Sequence, residues 1–546
     1  MGLSTSLLAQ ETKKVIHEAM ELEMSRNLKN LHLEGMKDPF FIGTNIIDAN
    51  NISINSSLGK LIRFNETPSR FTGLNQMIVG NYAENNLNFG SSGSNSLTPV
   101  KNLPLDNSSV ELRRSLWMMY DKQYKTSAEL YESKQSAIKN KPQDEDIIGL
   151  EDYIPGVKVI VDKPEIALAF ETSKLIQYMN EVSLAFKDYP SLTSSNASLD
   201  GVKSNVYYQN TEGTRATYPL SNIRISIKAE TQASNGEILS LSKTYLFLNE
   251  SGLPPIEQFI KNVQNLSDLL MKLKDAPVFD DIYNGPVLFE GLNDQMVRYI
   301  MMDGLYSVRK QVIGNTGAGA QSFISSDDRL DKKISHESLN IVAKPFMTSY
   351  EDQTLLGSYP IDMEGTIPPE TTVLVENGIL KTQLCGRIPT RKIKESNGHY
   401  RGFISPSFSM GGILPSVIDV DFKDGLSKEY LRKKLAEMAE DEGLDFAIIV
   451  RDMDLYMGVL KFVYKIDLKT GTETMMRTAG LKSLTFSDMR KLVGASNHKI
   501  GFNMAFSTFG ISFITPDAFL FKDLEVNKVS KTNLSKIPVV KNPLGL

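Results

Sequence analysis

The stretch Asn205-Val-Tyr-Tyr-Gln-Asn-Thr-Glu-Gly-Thr-Arg-Ala-Thr217, followed by Ile223-Arg-Ile-Ser-Ile-Lys228, decides the fold class. In the second piece Ile223, Ile225 and Ile227 alternate with Arg224, Ser226 and Lys228, the period of two that puts one face of a strand in the core and the other in water. In the first, Glu212-Gly213 is a turn signal between runs of β-formers. Two adjacent strands joined by a tight turn are antiparallel, and strands dominate from here to Leu248. Around them lie helical candidates. Glu11 to Leu33 carries Val15, Ala19, Leu22, Met24 and Leu28 at three- and four-residue steps; Glu111 to Lys139 does so through Leu112, Leu116, Tyr120, Tyr124 and Leu130. Ile166 to Phe186, Ile256 to Leu273 and Ser427 to Glu442 read as further helices. Trp117, the single tryptophan, reads as a core anchor of the second helix.

Pro39 to Ile47 reads as a strand, and Ile52 to Asn85 as several short runs broken by Asn and Gly. Ser91 to Pro99 reads as a polar loop. Beyond Pro254-Pro255 and the helix that follows, strands prevail again. The expected class is α+β in two domains, N-terminal helices packed on a sheet and a C-terminal β-rich domain of mostly antiparallel strands. The divisions are 11–255 for the first domain, 256–284 for a helical connection and 285–527 for the second. Residues 1–10 stand apart: Leu3-Ser-Thr-Ser-Leu-Leu-Ala-Gln10 reads either as the end of a signal-peptide apolar core with its small-residue cleavage site or as a frayed terminus. The first reading implies export from a bacterium, to the periplasm or surface; the second leaves the protein cytoplasmic.

A chain of 546 residues exceeds what one core supports, and 41 % apolar with 23 % charged residues is an ordinary globular composition. The 60 basic and 65 acidic residues leave a net charge of −5 with no long basic run, so nucleic acid is not an expected partner. No segment approaches the roughly 18 apolar residues of a membrane-spanning helix. One cysteine, Cys385, excludes an intramolecular disulfide and any Cys-rich metal site. The histidines, His17, His32, His336, His399 and His498, are scattered.

Several local patterns touch on chemistry. His17-Glu18-Ala-Met-Glu21 begins like a zinc-binding helix but has no second histidine one turn on, so it reads as a solvated helix face. Gly314 to Gly319 is glycine-rich without the Lys-Ser/Thr of a phosphate loop, and reads as a mobile loop. Cys385 has Arg387 nearby but no evident histidine partner, and reads as a buried structural thiol. The block from Gly357 to Arg401 is the most distinctive. It carries Asp362 and Glu364, then the hairpin turn Glu376-Asn377-Gly378 between apolar strands, then Arg387, Asn397, His399 and Arg401. Such a polar, partly cationic cluster suits either a groove for a peptide backbone or carboxylate, or a hydrogen-bonded turn that fixes sheet geometry.

At these residues the chain resembles the TldD/PmbA metallopeptidase family, once called modulators of DNA gyrase. The matching pieces, in order, are Ala19 to Pro39, Gly285-Pro-Val-Leu-Phe-Glu290, the Gly357 to Arg401 block, Met476 to Arg490 and Ile514 to Val526, so the resemblance spans 13 to 527. It implies a zinc site built, in active members, from a His-Glu-x-x-x-His helix after the Gly-Pro-Val segment and a cysteine near the C-terminus. Here an ungapped reading puts Tyr299 and Gly304 at the histidine positions and Ile300 at the base, and no cysteine follows Cys385. The resemblance therefore implies a member with no cofactor and no catalytic residues of its own. Such a member acts as a homodimer or as the metal-free partner of an active paralogue. Two alternatives stand beside it: an active metallopeptidase whose metal is held by His399 with Asp362 or Glu364, and an exported peptide-binding protein.

Overall fold

The computed structural model describes residues 2–89, 97–98, 100–140, 145, 148–291, 304–307, 309, 327–407, 409–454, 459–481, 484–506 and 509–528. Gly314 to Gly319, Tyr299, Ile300 and most of Ser91 to Pro99 lie outside them.

The expected turn at Glu212-Gly213 joins two long neighbouring strands of the N-terminal sheet. Its strands are β1 (Pro39–Ser57), β2 (Lys60–Thr72), β3 (Gln76–Val79), a short β4 (Leu97–Thr98) that pairs elsewhere, β5 (Ile160–Asp162), β6 (Ser194–Asn210), β7 (Arg215–Gln232) and β8 (Ile238–Phe247). The order is β2-β1-β6-β7-β5, with β3 beside β1 and β8 beside β7. Only β5 runs parallel to its neighbour in this sheet. The segment after Ile52 is not a set of short runs. β1 continues through Asn50-Asn-Ile-Ser-Ile-Asn-Ser-Ser57 because Ile52 and Ile54 enter a core while β2 and β6 satisfy its backbone on both sides.

Helices α1 (Gly2–Asn30) and α2 (Ser109–Asn140) cover one half of the sheet, where Ile16, Met20, Leu116 and Tyr120 meet Ile42, Ile46 and Tyr207. Helices α3 (Thr172–Leu184) and α4 (Ile256–Asp275) cover the other half, where Met179, Phe259, Val263 and Leu270 meet Ile223, Ile225 and Ile227. The expected helix from Ile166 begins only at Thr172. Glu171 precedes it without a side-chain cap. Trp117 is not a core anchor: it is 43 % exposed, because α2 buries Leu112, Leu116, Met119 and Tyr120, and Trp117 falls on the opposite side. His17 also departs from expectation. It is buried at the α1–sheet contact and shares a hydrogen bond with Thr217 (Nε2 to Oγ1, 2.8 Å).

The C-terminal half holds two larger sheets. In the first, strands Ile379–Leu380, Thr372–Glu376, Leu339–Ala343, Val417–Phe422, Phe509–Pro516 and Lys499–Phe506 lie in that order. The turn between Thr372–Glu376 and Ile379–Leu380 has positive φ at Asn377 and Gly378, as the Asn-Gly pair foretells. The second sheet contains Phe446–Asp454, Ile282–Glu290, Ala518–Lys528, Ala479–Leu481 and Val459–Asp467, and closes on itself where the first and last of these pair. Helix α5 (Lys428–Asp441), capped by Ser427, packs Leu431 and Leu435 against it. The protein is thus α+β with mostly antiparallel strands.

Candidate functional site

The block from Gly357 to Arg401 lies over the face of β1, β6 and β7 opposite to α1 and α2. Ile361, Met363 and Ile404 share a core with Ile47, Val206, Tyr208 and Tyr218. Its backbone is set by close approach: a Cβ on Gly357 would stand 2.4 Å from the Ser416 carbonyl oxygen, and Gly365, at φ +81°, lies against Tyr208.

Asp362 is 2 % exposed and holds a turn together. Its Oδ1 accepts from the backbone N–H of Glu364 (3.0 Å) and Thr366 (2.8 Å), and its Oδ2 from that of Tyr400 (3.1 Å). Glu364, also buried, accepts from the Arg387 N–H (2.6 Å) and from Gln76 Nε2 (3.1 Å). Burial, and then the neighbouring Glu364 charge, push the Asp362 carboxyl up to about 8 against those three N–H donors. Burial likewise raises Glu364, opposed by Arg387.

The Arg387 side chain crosses into the N-terminal half. Nε and Nη2 donate to the Ile154 carbonyl (2.9 and 2.7 Å), Nη2 to Glu212 Oε1 (2.6 Å) and Nη1 to the Glu364 carbonyl (3.3 Å). The guanidinium lies 4.2 Å from the Tyr153 ring centroid and 5.1 Å from that of Phe41. Glu212 Oε1 also accepts from Tyr82 Oη and the Gly156 N–H (2.6 and 2.9 Å). Burial works to raise the Glu212 carboxyl. The Arg387 hydrogen bond and charge, with the Gly156 and Tyr82 donors, outweigh burial and hold it below the ordinary range.

Asn397, half-buried, accepts from the Cys385 N–H (2.8 Å) and donates to the Gln383 carbonyl (2.8 Å). His399 is buried with Nδ1 2.8 Å from the Asn397 carbonyl and Nε2 3.4 Å from Ser416 Oγ, so its neutral ring donates from Nδ1. Burial lowers its pKa to about 3. Arg401 donates to the Pro415 and Gly510 carbonyls and stacks 4.3 Å from the Tyr359 centroid. Cys385 is buried, its Sγ donating to the Glu395 carbonyl (3.2 Å); burial pushes the thiol up to about 12, the reverse of an activated nucleophile.

Of the expected site residues, Asn397 bonds His399, Asp362 bonds the backbone of its own turn and of Tyr400, Arg401 bonds the Pro415 and Gly510 carbonyls, and Glu364 pairs with Arg387 in one cluster. Sequence reasoning missed Glu212, Tyr153 and Gln76, which complete it from the N-terminal half. It also missed a second cluster of the same kind, in which Arg477 Nη1 donates to Glu237 Oε2 (2.6 Å) in the β7–β8 turn. Nothing local announces these pairs, whose partners stand 175 and 240 residues apart.

Residues 312–426 match the family model described as the PmbA/TldA metallopeptidase C-terminal domain. No curated protein matches the chain. Among solved structures, TldE from Thermococcus kodakarensis superposes with a TM-score of 0.60 at 12 % identity, covering 93 % of this chain and 100 % of that one. A candidate modulator of a DNA gyrase from Thermotoga maritima gives 0.58 at 14 % identity over 93 % of this chain and 99 % of that one. Another, from Bacteroides thetaiotaomicron, gives 0.58 at 12 % over 95 % and 99 %. At these identities the superpositions speak for the fold, and residues 312–426 are similar to the C-terminal domain of the PmbA/TldD metallopeptidases.

Proposed function

We propose that this chain is a non-catalytic TldD/PmbA protein that works as a homodimer or as the metal-free partner of an active paralogue in peptide processing. The observation that carries the reading is the state of its imidazoles. His17 bonds Thr217, His32 bonds Asp38, His336 stacks on Phe422, His399 is held by Asn397 and Ser416, and His498 bonds Asp517. Among the described residues no two of them share a partner, and a hydrolytic zinc needs about three protein ligands around one point. Gly304, at the place of a family histidine, supports the same reading: a Cβ there would stand 2.3 Å from the Phe486 ring. Against the alternative of a metal on His399 with Asp362 or Glu364 stand the N–H groups that already occupy those carboxylates. The relatives' names, TldE and modulators of DNA gyrase, suit a partner role and carry no further weight.

Elemental analysis of the purified chain, alone and after co-expression with a family paralogue, tests the proposal. Zinc only in the co-purified pair is the expected result for a heterodimer, and none in either sample for a homodimer. Zinc near one per isolated chain would overturn the reading in favour of an active metallopeptidase. Calorimetry with peptides separates out the remaining alternative, an exported peptide-binding protein, which requires affinity with no partner present. There, a weaker peptide affinity in His399→Ala would assign the Gly357 to Arg401 block to a groove, and an unchanged one to sheet geometry alone.

A further inference from the structure

β1 and β2 form a hairpin whose turn meets the end of α3, where the Gly59 N–H donates to Ser183 Oγ (3.0 Å), while the first part of β2 is exposed. The turn, Leu58-Gly59, has φ of +49° and +82°. From Lys60 through Asn65 every residue is exposed. Three of these are large and apolar: Leu61 at 40 %, Ile62 at 65 % and Phe64 at 41 % exposure. Leu184, at the end of α3 and in contact distance of Gly59, adds a fourth at 45 %. The register explains why Ile62 is the most exposed. Arg63 pairs with Asn55 and Leu61 with Ser56, so Ile62 is the extra residue of a bulge and has no opposite number in β1. Contiguous exposed apolar side chains mark a contact surface, since solvation alone disfavours them.

The charge at this tip has one sign. Between Ile52 and Asn65 the charged residues are Lys60 and Arg63, and neither pairs with a carboxylate among the described residues. The next acid along the chain, Glu66, is turned back to the body, where Asn50 Nδ2 (2.9 Å) and Thr172 Oγ1 (2.7 Å) donate to it. A second copy docking tip to tip would set like charges together. A deformable, negative surface suits an exposed stretch that carries both apolar side chains and cations.

We propose that the β1–β2 tip docks on anionic lipid: Leu61, Ile62 and Phe64 enter the boundary between headgroups and acyl chains while Lys60 and Arg63 meet the lipid phosphates. Each cation near such a surface contributes about 1 kcal/mol, so losing both weakens binding roughly thirtyfold. The test is co-sedimentation of the full chain with vesicles of phosphatidylcholine alone and of phosphatidylcholine with phosphatidylglycerol in equal parts. Sedimentation with the mixed vesicles only, falling with added salt, is expected. Lys60→Gln with Arg63→Gln should reduce it about thirtyfold, and Ile62→Asp should abolish it. All three positions are exposed, so thermal unfolding should stay put; should any charged variant fail to fold, Ile62→Ser carries the same prediction. No binding to either vesicle, equal binding to both, or binding indifferent to Ile62 overturns the proposal. So does a concentration-dependent dimer that Ile62→Asp dissolves, which would hand the tip to a second copy.

Discussion

The strand β7 is bracketed by two buried arginine–glutamate pairs that tie the halves of the chain together, and they are not equivalent. At one end Glu212 meets Arg387; at the other Glu237 meets Arg477. Both arginines also bond through their backbones, Arg387 accepting from the Ile154 N–H in the N-terminal half and Arg477 from the Phe279 N–H just after α4. The difference lies in charge balance. Around Arg387 stand two buried or half-buried carboxyls, Glu212 and Glu364, for one guanidinium. Around Arg477 there is one acid, which Thr478 Oγ1 also supports (3.1 Å to either oxygen). Arg387 thus compensates a local excess of negative charge, whereas Arg477 closes a self-contained pair.

Removing Arg387 should therefore cost most. Arg387→Met leaves Glu212 and Glu364 in low dielectric without their cation and should destabilise by about 3–5 kcal/mol. Adding Glu212→Gln should return part of that loss, a coupling that urea unfolding of the two single variants and the double would measure. Arg477→Met should cost less, about 2–3 kcal/mol, because the Thr478 hydroxyl still donates to Glu237. Equal losses at the two ends would show that charge balance does not distinguish them.

The same two ends explain what could be read in the sequence. Near Glu237, one face of the sheet is covered by α3 and α4 and the other carries Arg224, Ser226 and Lys228, so the alternation with Ile223, Ile225 and Ile227 is explicit. Near Glu212 both faces are covered, by α1 and α2 on one side and the Gly357 to Arg401 block on the other; Val206-Tyr-Tyr is then buried without alternation. A hairpin is legible there from Glu212-Gly213, but what packs on it is not. The site residues were legible as a polar cluster through their density in one block. Their partners Glu212, Tyr153 and Gln76 were not, because long-range pairing leaves no spacing to detect. His17 and Trp117 fail for a related reason: helical period locates a face, and a residue beside that face can fall on either side of it.

Acid should widen the contrast between regions. Burial keeps His399 and His17 neutral, each with its pKa lowered to about 3; for His17 the nearby Arg215 and Lys13 charges add to burial, and Asp162 opposes. The unfolded chain takes up protons near the ordinary imidazole value of about 6.5, so stability is full above that pH and falls as pH drops toward 3. Asp362 has the opposite sign. Its raised pKa adds stability that is fully present below about 4 and is lost as pH rises through about 8. Urea unfolding at successive pH values should show about 2–3 kcal/mol lost per buried histidine between pH 6.5 and 4.5, partly offset by Asp362. His17→Gln should flatten that limb; an unchanged limb would mean that the α1 contact opens before the ring titrates.

The smallest effect is expected on the outer side of α2. Trp117, Met118 and Val110 are 43 %, 48 % and 72 % exposed, whereas Leu116 and Tyr120 beside them are fully buried. Replacing Trp117 with Gln removes little buried area and should change stability by no more than about 0.5 kcal/mol, while Tyr120→Phe, which breaks the bond between its hydroxyl and Thr44 Oγ1 (2.8 Å), should cost about 1 kcal/mol. Because Trp117 is the sole indole, its fluorescence reads this surface directly. In dilute protein it should emit close to indole in water and be quenched by iodide. A shift to shorter wavelength as the protein is concentrated would place a second copy on this face of α2. A spectrum that is unchanged by concentration, or by addition of a paralogue, would leave that face outside the assembly and move the search for the partner surface to the opposite side of the sheet.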